Sequence, residues 1–107
     1  MTVHDAIDHA LAQAQEGSAV VIVARGRDIP GVLRQAADHD PLYIQGTVGR
    51  ERIGFDTGGA VRFASTDASM RGLAADLVVV IGAVPSSIGR SIKVMRAAGS
   101  RIIEATA

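Results

Sequence analysis

Residues 19–24 read AVVIVA, an unbroken run of β-branched and small apolar side chains, and the rest of the chain is organised around them. A strand covered on one face alternates apolar with polar residues. A strand covered on both faces is apolar throughout. The run LVVVI at 77–81 has the same character, so the sequence predicts two buried strands in one sheet. Strands of this kind are usually parallel, and parallel neighbours need long crossovers, normally helices.

The segments around the two runs fit that requirement. From Thr2 to Glu16, Val3, Ile7 and Leu11 recur on one face with Ala6, Ala10 and Ala14 beside them, which predicts an amphipathic helix. Thr2 with Asp5 has capping-box character, and Gly17 is a stop signal. Asp28 is placed to cap a second helix that runs to His39, with Pro30 in its first turn and Ile29, Val32, Leu33, Ala36 and Ala37 turned inward. Asp38 to Pro41 ends it. The period then changes to two: Ile53 and Phe55, and again Val61 and Phe63, alternate with polar neighbours on either side of Thr57, Gly58 and Gly59. That is a β-hairpin. Ser86 or Ser87 is placed to cap a helix whose Ile88, Ile92 and Met95 face the core and which Gly99 closes. Arg101 to Ala105 is a last strand. The expected fold is therefore α/β, a mostly parallel sheet flanked by helices, with a hairpin.

A chain of 107 residues has room for one core, since a domain of this size buries roughly two-thirds of the surface its unfolded chain exposes. The longest apolar runs fall far short of the roughly 20 residues that span a bilayer. With no basic leader either, the expectation is a cytoplasmic protein without membrane contact. The absence of cysteine removes disulfides, thiolate nucleophiles and sulfur-ligated metals. Eleven basic residues balance eleven acidic ones, so no global field draws the chain to nucleic acid. Arginine outnumbers a single lysine, Lys93, which suggests a GC-rich bacterial or phage origin.

The order of segments carries a family resemblance. A helix leading into VVIVARGRDI, a hairpin ending GGAVRFAST, then MRGLAADLVVVIGA and AGSRIIEATA, resembles the RecA-like ATPase domain of phage terminase large subunits and related helicases, from about residue 5 onward. The resemblance implies a three-layer RecA-like sandwich. It also implies that the strand 77–81 ends in an acidic pair, but Gly82 and Ala83 stand there. The phosphate loop G-x-x-x-x-G-K-S/T belongs before the first helix, and only Met1 precedes it. The threonine expected after the last strand has a counterpart in Ala105 and Thr106. Phosphoryl transfer thus lacks its electrostatic machinery, and neither enzymatic activity nor a cofactor is expected.

Three weaker signals remain. Arg25, Arg27, Arg50, Arg52 and Arg62 are candidate phosphate-backbone contacts, some of them on one face across the hairpin; solvation, or pairing of arginine with Asp28, explains Arg25 and Arg27 equally simply. Ser86, Ser87, Gly89, Arg90 and Lys93, at a helix start after a central strand, form a candidate anion site within the stretch from Val84. Ordinary capping accounts for both serines. His4 with Asp8, and Asp5 with His9, sit one turn apart, as a metal site would need, yet the H-E-x-x-H spacing is absent. His39 is read as part of a solvated helix end. The leading expectation is a non-catalytic RecA-like scaffold, phage-encoded, that binds a host protein, an ATPase or another copy of itself. A nucleic-acid-binding accessory module and a small anion-binding protein or enzyme are the alternatives.

Overall fold

The computed structural model describes residues 2–48, 50–65, 74–82 and 86–105, the side chains of 86–88 excepted. Six strands form one sheet: β1 (Ala19–Val23), β2 (Tyr43–Gln45), β3 (Arg52–Gly54), β4 (Ala60–Ala64), β5 (Leu77–Ile81) and β6 (Arg101–Ala105). Their order is β2-β3-β4-β1-β5-β6. The run AVVIVA therefore lies at the centre, hydrogen-bonded in parallel to β4 on one side and to β5 on the other. β5 pairs in parallel with β6, whereas β2, β3 and β4 are antiparallel. The sheet is mixed, with its antiparallel part gathered at one side as the hairpin pattern indicated.

Period-two geometry splits the central strands between two layers. Val20 and Ile22 of β1, with Leu77 and Val79 of β5, pack under Ala6, Ala10 and Leu11 of the first helix, α1 (Val3–Gln15), and Val32 of the second, α2 (Ile29–Ala36). Val21, Val23, Val78 and Val80 face the other way, against Ile92 and Met95 of α3 (Ser86–Ala97). Helices thus cover both faces, which is why these runs tolerate no polar residue. Each fully buried side chain, such as Leu11, Ile22 or Leu77, contributes about 1.5–3 kcal/mol relative to exposure. No helix is long and apolar enough to cross a membrane among the described residues.

The ends of α1 show how local signals fix its position. Thr2 Oγ1 accepts a hydrogen bond from the Asp5 N–H at 3.1 Å, a cap of the kind worth about 1 kcal/mol. At the other end Gly17 takes φ +109°, and the hairpin turn docks there: Thr57 Oγ1 donates to the Gln15 carbonyl at 3.0 Å. Gly59 comes so close that a Cβ on it would stand 1.7 Å from the Ala14 carbonyl oxygen.

Four details depart from the sequence expectation. A 3₁₀ turn, Gly26–Asp28, precedes α2, and Asp28 makes no side-chain capping bond; its carboxylate pairs with Arg25 instead. Ala37 is exposed, because after Ala36 the backbone tightens into a second 3₁₀ turn, Ala37–His39, and three residues per turn carry it off the inward stripe. His39 is not solvated: its side chain is only 19% exposed and meets Asp8 of α1. The edge strand β2 was not expected, since its three residues are all exposed and carry no alternation. Ile29, Val32 and Ala36 are buried as expected, and Leu33 packs against them. Gly99 closes α3 at φ +102°, while Ile88 lies outside the described side chains.

The glycine pair in the hairpin gives a test of this docking. Gly59→Ala is expected to destabilise the protein by about 3 kcal/mol, since the clash is with backbone that cannot rotate away. Gly58→Ala, at φ +90° with open space around it, should cost only about 1–2 kcal/mol of backbone strain. Urea unfolding of the two variants checks the ranking.

Candidate functional site

Adjacent parallel strands whose connections leave on opposite faces open a crevice outside their carboxyl ends. β1 and β5 are such a pair: β1 leads to α2 on one face of the sheet, and β5 is followed by α3 on the other. A cavity of about 350 Å³ lies there, with Val3, Ile7, Val32 and Ile81 as its apolar wall and His4, Arg25, Asp28 and Gln35 as its polar one. That volume is at the small end of ligand pockets.

Arg25, one residue past the end of the apolar run, sets the charge of the crevice. Its Nε lies 3.7 Å from Asp28 Oδ2, so the expected pairing with Asp28 is present, half-exposed and of the sort that contributes little to stability. Nη2 of the same guanidinium reaches the end of β5, 3.8 Å from where a Cβ on Gly82 would stand. Gly82 takes φ +73° and donates its N–H to the Ala105 carbonyl at 2.8 Å. Arg25 and Gly82, far apart in sequence, therefore meet at the carboxyl ends of β1 and β5. α3 begins at Ser86 as anticipated. The side chains of Ser86 and Ser87, and all of Val84 and Pro85, lie outside the described residues. Gly89 is half-exposed, and Arg90 and Lys93 are exposed.

One wall of the crevice is held by a polar cluster between α1 and the end of α2. Asp8 Oδ1 is 2.9 Å from His39 Nε2 and accepts from Gln35 Nε2 at 3.0 Å. Gln35 Nε2 also donates to the His4 carbonyl at 3.0 Å, and His4 Nε2 stands 3.7 Å from Asp8 Oδ2. The His4–Asp8 pair was visible as a one-turn spacing. His39 and Gln35 were not, because they are 31 and 27 residues away from Asp8 in sequence. Asp5 and His9 form no ion pair among the described residues, nor does any group of three side chains there converge as a metal site would require. The cluster is a clamp between helices.

The structure sorts the five candidate arginines. Arg25 lines the crevice, Arg27 is exposed in the turn after it, and Arg50 is exposed ahead of β3. Arg52 and Arg62 are direct cross-strand partners in β3 and β4. Arg62 is also in register with Val21, which puts both arginines on the α3 side of the sheet, away from α1 and α2. They flank a depression of about 430 Å³ beside Val21 and Asp76, and Arg52 Nε is buried without a hydrogen-bond partner. Tyr43 shares that face: its ring lies across Gly54, where a Cβ would meet Tyr43 Cε1 at 2.2 Å. The sequence holds both residues, but only the register of β2 on β3 places Tyr43 opposite Gly54.

Comparison of the chain with family models, curated proteins and solved structures gives no match.

The Asp8 clamp has a pH signature. Hydrogen bonds from His39 first and Gln35 second, aided by the nearby histidine charges and opposed by burial, hold the Asp8 carboxyl below its ordinary value of 3.8. A carboxylate with a depressed folded-state pKa stabilises above its unfolded value and loses that contribution as pH falls through the folded one. Wild type should therefore exceed Asp8→Asn in thermal midpoint at pH values above 3.8. The gap should close on acidification below it.

Proposed function

We propose that this chain is a non-catalytic α/β scaffold with a RecA-like framework, phage-encoded and cytoplasmic, that acts by binding another protein. The observation that carries the reading is the edge of the sheet at β2. Leu42, Tyr43, Ile44 and Val48 are 68, 41, 38 and 91% exposed, and residues 41–49, PLYIQGTVG, hold no charge at all. An edge strand presents unpaired backbone groups, and proteins usually guard such edges with charge or cover. An uncharged edge rimmed with apolar side chains fits addition of a partner's strand, where backbone bonds give affinity and the side chains give choice.

The RecA-like part of the proposal is supported by the adjacency of β1, β5 and β6, all parallel, with the start of α1 beside their carboxyl ends. In that framework the nucleotide would approach the crevice. The residues around it supply no machinery for turnover: Gly82 follows β5 where a carboxylate would stand, and Asp28, a carboxylate in the lining, is paired with Arg25. Among the described residues, nothing in the lining resembles the lysine and backbone cradle that hold a triphosphate.

Three outcomes test the proposal. The purified protein should release no phosphate from Mg²⁺-ATP; turnover that copurifies with the chain would contradict it. Protein recovered with the tagged chain from its native host should be lost when Leu42 and Ile44 are both changed to lysine, with the far-UV spectrum unchanged. A recovered set indifferent to both substitutions removes the β2 reading. Binding to DNA is expected to be no tighter than the roughly 10⁻⁴ to 10⁻⁶ M of non-specific association.

A further inference from the structure

The Arg52–Arg62 pair carries an inference independent of the protein-binding reading. Residues directly opposite across an antiparallel pair hold their Cβ atoms about 4.5–5.5 Å apart, and like charges in that position repel. Here two guanidinium groups occupy it. Neither forms an ion pair among the described residues. Part of the Arg52 guanidinium is withdrawn from water with no acceptor supplied, which folded proteins rarely leave uncompensated. Among the described residues the carboxylate lining the depression is Asp76, whose Oδ2 accepts the Ala19 N–H at 2.9 Å.

The surroundings suit a small charged guest. Val21 and Ala60 give the lining an apolar part, while Gly17 and Gly58, exposed and also in the lining, bring no side chains to obstruct entry. The volume, about 430 Å³, exceeds that of a lone tetrahedral oxyanion and leaves room for a group attached to it. Guanidinium forks match phosphate oxygens bidentately, and such charge-assisted bonds are the stronger kind. A dianion between the two arginines would turn their repulsion into a shared attraction.

We propose that Arg52 and Arg62 form an oxyanion site on the sheet face, with a phosphate group as its ligand. The test follows the side-chain Nε–Hε resonances of both arginines as inorganic phosphate is added, against chloride at equal ionic strength. Both resonances should move with phosphate and hold still with chloride, and in Arg62→Gln the apparent affinity at Arg52 should fall roughly tenfold or more. Arg62 is exposed, so that variant should keep its fold, and the wild-type titration stands without it. A second arm uses a short single-stranded oligonucleotide at the same phosphate concentration. Binding at least about tenfold tighter than inorganic phosphate assigns the group to a nucleic-acid backbone, and binding no tighter assigns it to free phosphate or a phosphomonoester. If neither probe moves either resonance beyond the chloride control, or if Arg62→Gln leaves the response at Arg52 intact, the site is overturned.

Discussion

Burial of β1 on both faces and along both edges is the constraint on which the remaining structure depends. Val20 to Val23 have hydrogen-bonded neighbours on either side and helices above and below, so every other element is placed by what it must cover. α1 and α2 lie over Val20 and Ile22, α3 over Val21 and Val23, and the crevice opens where β1 and β5 send their chains to opposite faces. Arg25 marks the point at which that burial stops. It is the first exposed residue after the run, and it turns at once to Asp28 and Gly82.

Stability and binding capacity therefore occupy different parts of the sheet. The central strands β1 and β5 are apolar throughout, and no polar or charged residue is buried among the described residues. The antiparallel half is thinner and more varied: it carries Arg52, Arg62, Tyr43 and Gln45 on one face and ends in a three-residue edge strand. Chemistry that a core strand would exclude is tolerated there. The proposed oxyanion site and the proposed protein-binding edge both lie in this half. The crevice, by contrast, is lined largely by groups already engaged with one another.

What sequence revealed followed the strength of its periodicity. AVVIVA and LVVVI announce themselves as doubly covered strands of one sheet, and in the fold they are neighbours. α1 was legible down to its cap, because the alanine stripe, Thr2 and Gly17 all agree. The hairpin was legible from its alternation and its glycines. β2 was not, since an exposed edge strand has no apolar face to repeat, and Tyr43 has meaning only once Gly54 is opposite it. The partnership of Asp8 with His39 and Gln35 was equally hidden: it is set by how α2 docks on α1, and no local pattern encodes that angle. The arginines are plain in the sequence, but only the register of β3 on β4 reveals that Arg52 and Arg62 stand face to face.

Amide hydrogen exchange measures the central claim, a closed core with an open edge, most directly. Exchange from the deep core requires global opening, whereas a thinly held edge exchanges through local fluctuation. The slowest amides should lie in β1 and β5, and Tyr43 to Gln45 should exchange fast in the isolated protein and slowly when the chain is in complex with its partner. Early exchange from Val20 to Val23, or β2 amides as protected in the isolated protein as those of β1, would contradict it.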